Sequence, residues 1–489
     1  MAAKKQAGKE PGELRIRMYR VGFGDFFLMT VPTAKEPKHI LIDCGVTTGK
    51  TGKGDIGTIK AAVAHMAKET KGQLELIIVT HRHKDHIIGF SRSSDVFKNM
   101  KVGAVWMSAW EKQYDPNEKK GKKKPKAAAL QDEMASFALA MQQHLAASGA
   151  DDPDMDEIMA ILENATGFEP AQLAAAGGAA KRSGKGKGGG SNPASLAYLK
   201  SFGPQYYAKG DKPKMPEVLQ KAGLTAEILG PPPLDHVDFM RLMDLAKKGK
   251  GQYLGDESSG TPGKFSPFDK RWRVKADAYP KRAFDAFERV TKDPEAALRD
   301  AVKSAEPSAF FTAAKILDDF LNNQSLVILF TFKGKKLLFA GDAQGGNWEY
   351  WMYGGTPTKA PVLDDILKAS AGILGHLDVY KMGHHGSTNA TPVTAVQAIG
   401  GDPLTLCSTQ QDSFGSKKNE SEVPREPLLA ALGGKSKIVR SDQLRVKGIK
   451  DPATGKALDI AAVKGAPKRL PKPTRGRLVS GEIYIDYFL

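Results

Sequence analysis

The sequence predicts a layered α/β fold carrying two mainly helical insertions. Apolar segments of strand length alternate with segments of helical spacing, and several of those strands run directly into His or Asp. Twice the composition shifts to stretches that no sheet would accept. With 489 residues, 41% hydrophobic and 26% charged, the chain is large enough for a substantial core and too ordinary in composition for wholesale disorder.

From Leu14, the segments LRIRMYR, the turn VGFGD, FFLMTV and HILIDCG read as paired strands. Ile56, Ile59, Val63 and Met66 fall at helical spacing within 56–69, and LELIIVT at 74–80 follows as a buried strand ending in His81. MKVGAVWMS at 100–108 is the next strand. A lysine cluster then occupies 111–126, and Leu130, Met134, Phe137, Met141 and Leu145 make one apolar helix face. KRSGKGKGGGS at 181–191 cannot pack. LTAEILGPPP at 224–233 reads as a strand ended by prolines, and a second helical segment runs on to Asn322. QSLVILFTF, the turn Lys333-Gly334-Lys335, KKLLFAGD, LDVYKMGHHGS, PLTLCST, a helix around 424–433, KIVRS and GEIYIDYFL complete the scaffold. The predicted division is a flexible tail (1–13), a first scaffold half (14–110), a first helical insertion (111–215), a scaffold strand (216–234), a second helical insertion (235–321) and a second scaffold half (322–489).

Composition narrows the chemistry. The two cysteines, Cys44 and Cys407, cannot build a disulfide framework or an all-thiolate zinc site, so any metal must rest on His and carboxylates. MAAKKQAGKEPGE has no apolar core of a secretory signal, and the longest apolar runs fall far short of the ~20 residues a membrane helix needs. The expectation is a soluble, cytoplasmic protein without a membrane partner. Lys+Arg 72 against Asp+Glu 55 leaves a net charge of +17, which attracts polyanions and puts nucleic acid first among partners. GVTTGKTGKGDIG imitates a phosphate loop, but three residues rather than four separate Gly45 and Gly49, so nucleoside-triphosphate binding is not expected there.

Three clusters carry the chemistry. In THRHKDH, His81 and His83 project the same way from an extended turn and can hold one cation, while Asp85 and His86 point to an adjacent position. Two cations about 3.5–4 Å apart share a bridging hydroxide that is a nucleophile at neutral pH. FAGD delivers Asp342 to a strand end, where its carboxylate could bridge both cations. KMGHHGST places His384 and His385 just past a strand, followed by Gly386 and Ser387. Adjacent histidines cannot both face one metal on an ordinary backbone, so one is expected as a ligand and the other as a phosphate contact or general acid.

Taken in order, these residues resemble the metallo-β-lactamase superfamily, in its branch related to the hydrolase domain of bacterial competence DNA-uptake proteins. The resemblance rests on Gly24-Asp25, Asp43 in LIDCG, the His81-His83-Asp85-His86 loop, the Asn-x-x-Ser-Leu-Val strand from Asn322 to Val327, Asp342, and His384-His385-Gly386-Ser387. It covers about 14–110, 224–233 and 322–489, and not the insertions. It implies an αββα sandwich of two mixed sheets with the metal site at the sheet edges. It further implies two divalent cations, zinc by default and manganese as the alternative. His81 and His83 would bind the first, Asp85, His86 and His385 the second, and Asp342 would lie between them. Asp85 and His384 are the implied catalytic residues, His384 contacting the scissile group, with Asp25, Asp43 and Ser387 in support. The superfamily's third imidazole for the first cation has two candidates in the interval, His236 and His144, of which His144 sits beside the apolar helix stripe. A late active-site histidine is missing, since Val423-Pro424 stands after Asn419.

The function expected from the motifs is hydrolysis of phosphodiesters by a metal-bound hydroxide, with DNA or RNA as substrate. The alternatives are hydrolysis of a small phosphoester, lactone or thioester, and a metal-binding scaffold subunit without turnover. Cys44 is expected as a buried thiol, His65 as a solvated residue, and His39 and His376 at the surface.

Overall fold

The computed structural model describes residues 12–47, 58–112, 142, 153–166, 191–236, 314, 317–355, 363–415, 422–444, 446–450, 457–460 and 469–489. Nearly all of the two lysine-rich segments, the apolar face from Leu130 to Leu145, His144 and nearly all of the second insertion lie outside them.

The strands, in chain order, are β1 (Arg15–Tyr19), β2 (Phe26–Val31), β3 (Lys38–Cys44), β4 (Gln73–Leu74), β5 (Leu76–Val79), β6 (Lys101–Val102), β7 (Val105–Ser108), β8 (Gln205–Tyr207) and β9 (Leu224–Gly230). They continue with β10 (Val327–Phe332), β11 (Lys335–Phe339), β12 (Val379–Lys381), β13 (Leu404–Cys407), β14 (Lys437–Arg440), β15 (Val446–Lys450), β16 (Ala457–Ile460), β17 (Arg477–Ser480) and β18 (Tyr484–Phe488). One sheet has the order β17-β18-β1-β2-β3-β5-β7-β8 and a second the order β14-β13-β12-β11-β10-β9. Two-stranded ladders join β15 to β16 and β4 to β6.

Side-chain alternation decides how these sheets stack. Ile16, Met18, Phe27, Ile42 and Ile78 of the first sheet share one core with Ile328, Phe330, Leu337, Phe339 and Leu406 of the second. The Phe27 and Phe339 rings meet edge to face at 5.8 Å across that core. The opposite face of the first sheet, with Leu28, Leu41, Ile77 and Val79, packs on helix α1 (Thr58–Glu69) through Ile59, Val63 and Met66, and on α2 (Lys84–Arg92) through Ile87 and Ile88. Among later helices are α3 (Ser94–Phe97), α4 (Pro153–Thr166), α5 (Asn192–Lys200), α6 (Glu217–Lys221), α7 (Gly345–Tyr353), α8 (Lys368–Leu374), α9 (Val393–Ala398) and α10 (Glu426–Gly433). Trp348 and Trp351 of α7 and Leu428 and Leu432 of α10 cover the outer face of the second sheet against Leu329, Leu338 and Tyr380. The chain is therefore mixed α/β, with helices outside two apposed sheets.

Strand direction positions the site. β3, β5, β7 and β8 run parallel, as do β11, β12, β13 and β14. Parallel neighbours release their chains at one edge, so the residues after β5, β11 and β12 emerge side by side.

Gln205–Tyr207, which the sequence places inside a helical insertion, instead pairs with β7 as an edge strand of the first sheet. Three residues are too few to show a period of two. His65 is half-buried rather than fully solvated: its Nδ1 lies 3.1 Å from the Tyr19 hydroxyl and its ring 5.1 Å from that of Tyr484, because α1 lies on the sheet face that carries both tyrosines. No helix among the described residues is long and apolar enough to cross a membrane.

Candidate metal centre

The centre forms where β3, β5, β11, β12 and β13 end. The backbone must approach itself closely there, which explains two glycines. A Cβ on Gly45 would stand 2.1 Å from the Asp85 carbonyl carbon and the His86 nitrogen, so only glycine lets the end of β3 press on the first turn of α2. Gly24, at φ 155°, has the same role, with a Cβ clashing at 2.8 Å with the Asp85 oxygen. The amide of Asp25 then donates to that oxygen at 2.9 Å.

Four donors converge. One ligand atom each from Asp85, His86, Asp342 and His385 lies within 4.8 Å of all the others, and all four side chains are buried. Hydrogen bonds behind the rings fix which nitrogen faces inward. His86 Nδ1 donates to Asp43 Oδ2 at 2.8 Å and turns Nε2 to Asp342 Oδ2 at 3.0 Å. His385 Nδ1 donates to the Ser408 carbonyl at 2.8 Å and turns Nε2 to Asp85 Oδ2 at 3.0 Å and Asp342 Oδ2 at 3.4 Å. Asp43 itself is anchored by the Thr80 amide at 2.8 Å and the Thr80 hydroxyl at 2.7 Å.

His81 and His83 stand beside this group. Nδ1 of His81 faces the Ser325 hydroxyl at 3.2 Å and the Thr80 hydroxyl at 3.1 Å, leaving Nε2 3.0 Å from His83 Nδ1. Nε2 of His83 lies 3.7 Å from the Asp318 carboxylate. Ser325 also accepts the Asp342 amide at 3.0 Å, tying the His loop to the end of β11.

His384 and His385 both have left-handed backbones, at φ 41° and 52°. Consecutive non-glycine residues in that region cost roughly 1–2 kcal/mol each. The turn is held by His384 N to Gly341 O at 3.1 Å and Arg425 N to Gly386 O at 2.7 Å. Its effect is to send the two rings to different places. His385 joins the donor group, its ring 4.4 Å from Phe23, whereas His384 Nδ1 binds Asn389 Oδ1 and Ser387 Oγ, both at 2.8 Å.

Electrostatics separates the rings further. Burial lowers the pKa of His83 and His384 to about 4, so both are neutral at pH 7. Burial opposes charge on His86 and His385 too, but Asp342 with Asp43 raises His86, and Asp342 with Asp25 lifts His385 to about 10. Asp85 is held down to about 2, because His86 and His385 outweigh the cost of burying its charge.

Sequence reading missed Lys381. It is fully buried at the end of β12, donates to the Gly341 carbonyl at 3.1 Å, pairs with Asp25, and lies 3.6 Å from Asp342 Oδ1. Burial works against its charge, yet Asp25 and Asp342 raise its pKa and keep it an ammonium. In the second donor group, Asp25, Asp43 and His86, Lys381 pairs with Asp25 while Thr80 and the His86 N–H bind Asp43, and Asp25 Oδ1 has no hydrogen-bond partner among the described residues.

The donors fit a divalent cation on a structural criterion. Asp342 Oδ1 and Oδ2, Asp85 Oδ1, His86 Nε2 and His83 Nε2 are buried without a hydrogen-bond partner among the described residues. Such groups are costly unless something binds them. His236 is not in either donor group. Its ring packs 5.0 Å from Tyr350 of α7, so the third-imidazole expectation finds no support in the geometry. No protein-family model matches the chain, and no curated protein matches it.

Proposed function

We propose that this chain is a metal-dependent phosphodiesterase acting on nucleic acid, with the fold of a metallo-β-lactamase sandwich. The observation that carries the reading is the convergence of Asp85, His86, Asp342 and His385 as buried donors, several of whose atoms have no hydrogen-bond partner among the described residues. The layering of two apposed sheets inside outer helices, with donors at the ends of parallel strands, supports the fold assignment. The net charge of +17 supports a polyanionic substrate.

Divalent cations held there, zinc or manganese by donor type, would lower the pKa of a coordinated water and polarise a phosphoryl oxygen. Asp85, His86 and His385 would hold one position, His81 and His83 the other, with Asp342 between them. The chain's own residues do the rest. Asp43 and the Ser408 carbonyl lock the tautomers of His86 and His385, so the inward nitrogens need no reorientation. Phe23, its ring tilted 4.5 Å from that of Phe414, packs 4.4 Å from the ring of His385 and would limit water there. His384, with Nδ1 donating to Asn389, presents Nε2 as an acceptor toward the Asn322 amide at 3.5 Å. A neutral imidazole so held suits contact with substrate or an incoming water better than the general-acid role.

The test is metal analysis of the purified protein together with a cleavage panel of single-stranded DNA, duplex DNA, RNA and a small chromogenic diester. Chelator-sensitive cleavage of a polynucleotide, lost in Asp85→Ala without a change in unfolding temperature, is the expected result. A metal-loaded protein that turns over only the small diester, or no ester at all, would replace the proposal with the small-substrate or the scaffold reading.

A further inference from the structure

The loop from His81 to Asp85 alternates in what it faces, and His86 joins Asp85 on the inner side. His81, His83, Asp85 and His86 turn to the cation positions, while Arg82 and Lys84 turn the other way. Arg82 makes a two-point pair with Glu111 at 2.8 and 2.6 Å, and Lys84, 1% exposed, pairs with Glu163 of α4.

The same loop opens α2, and there it has a physical problem. The first amides of a helix lack partners, and a Ser, Thr, Asp or Asn at the cap ordinarily supplies one. The cap of α2 is His83, which makes no side-chain capping bond because its ring belongs to the centre. His86 N and Ile87 N reach back to the His83 carbonyl at 3.0 and 3.1 Å, but the amide of Asp85 is left over. Its partner comes from another part of the chain: Asn164 Oδ1 of α4, at 3.2 Å. Asn192, at the start of α5, closes the joint. Its buried Nδ2 donates to the Arg82 carbonyl at 2.8 Å and to the carbonyls of Asn164 at 3.0 Å and Ala165 at 3.2 Å. One amide thus ties the metal loop to the end of α4.

We infer that α4 and α5, helices of the segment between β7 and β8, brace the cation-binding loop, with Asn164 and Asn192 as positioning residues that hold Asp85 and His86 toward Asp342 and His385. The brace rests on the proposed metal-dependent function for its purpose but not for its geometry. It makes the first insertion a part of the centre rather than an addition to the scaffold. Outer partners of ligand-bearing groups typically change metal affinity 10–100-fold when removed.

The experiment uses the full chain and Co2+ as the probe, comparing the parent with Asn164→Ala, Asn192→Ala and Asn164→Asp, the last keeping an oxygen acceptor for the Asp85 amide. Calorimetry should show Co2+ affinity reduced about 10-fold or more in the two alanine variants and within about threefold of the parent in Asn164→Asp. The visible spectrum of bound Co2+ should shift in the alanine variants and return in Asn164→Asp. Parental affinity and spectrum in both alanine variants would overturn the brace. If the parent itself binds no Co2+, the metal-dependent function fails, and hydrogen exchange decides the brace separately. Faster exchange of the 82–88 amides in Asn192→Ala upholds it, and unchanged exchange overturns it.

Discussion

Two clusters of buried charge sit on the first sheet, and they are balanced differently. On the face under α1, Arg15 and Arg17 meet Asp486 and Glu69, two cations against two anions. Asp486 accepts from Arg17 through both oxygens at 2.7 Å, and the guanidinium lies 3.6 Å over the Tyr484 ring. At the strand ends, Asp25, Asp43, Asp85 and Asp342 are all buried, and among the described residues they face one ammonium, that of Lys381, and the rings of His86 and His385, whose pKa they raise. Both oxygens of Asp342 lack hydrogen bonds among the described residues. Burial of charge is common to the two clusters, so burial does not mark a site. The surplus of carboxylates converging with imidazole nitrogens does, because without a bound cation the two rings must take up protons to offset it.

Substitution should split the clusters cleanly. Asp342→Asn is expected to abolish cation binding and lower turnover by roughly a thousandfold or more, the loss expected of an electrostatic clamp worth several kcal/mol, while the unfolding temperature of chelated protein stays level or rises. Asp486→Asn should do the reverse. It strands Arg17 in a buried site and should cost about 3–5 kcal/mol in denaturant unfolding with cation affinity unchanged. Loss of metal binding in Asp486→Asn, or its retention in Asp342→Asn, would erase the distinction.

Lys381→Met tests the intermediate case, since it removes the ammonium from the carboxylate-rich cluster. Chelated protein should lose about 3–5 kcal/mol of stability, as expected when a buried ion pair is broken from one side. Saturating divalent cation should restore more stability to this variant than to the parent, because the cluster has become more negative. For the parent, a cation at a hundred times its Kd should add about 2.7 kcal/mol. The same increment should appear in Asp486→Asn and vanish in Asp342→Asn, as read from thermal or denaturant melts.

What the sequence made legible follows from the range of the interactions involved. The strands β1, which alternates, and β2, β3, β10 and β11, which are largely apolar runs, announce themselves, as do His81, His83, Asp85, His86, Asp342 and the 384–385 pair, because they cluster just past such runs. Lys381 gave no signal. A lysine in a three-residue strand reads as exposed until the neighbouring strand ends bring Asp25 and Asp342 to it. Asn164 and Asn192 are equally silent, since their partners lie 79 and 110 residues away. β8 was invisible for its shortness, and His65 was misread because the ring that binds it belongs to β1. Contacts that depend on sheet order and helix docking cannot be read from local spacing.

The smallest expected effect concerns the histidine that sequence alone could not place. His236 follows the proline-terminated end of β9, within the interval that could supply a third imidazole, and its ring rests on Tyr350 rather than among the converging donors. About a third of its side chain is exposed, 35% by area, so truncation removes modest packing. His236→Ala should change unfolding free energy by less than about 1 kcal/mol, in the range of substitutions away from buried networks. Its Co2+ affinity should equal that of the parent within about twofold, against the 10–100-fold typical of even an outer partner of a ligand. A larger fall in affinity would draw α7 and the end of β9 into the metal centre. The first cation position would then hold three imidazoles, and the contrast between balanced and unbalanced clusters would extend beyond the strand ends.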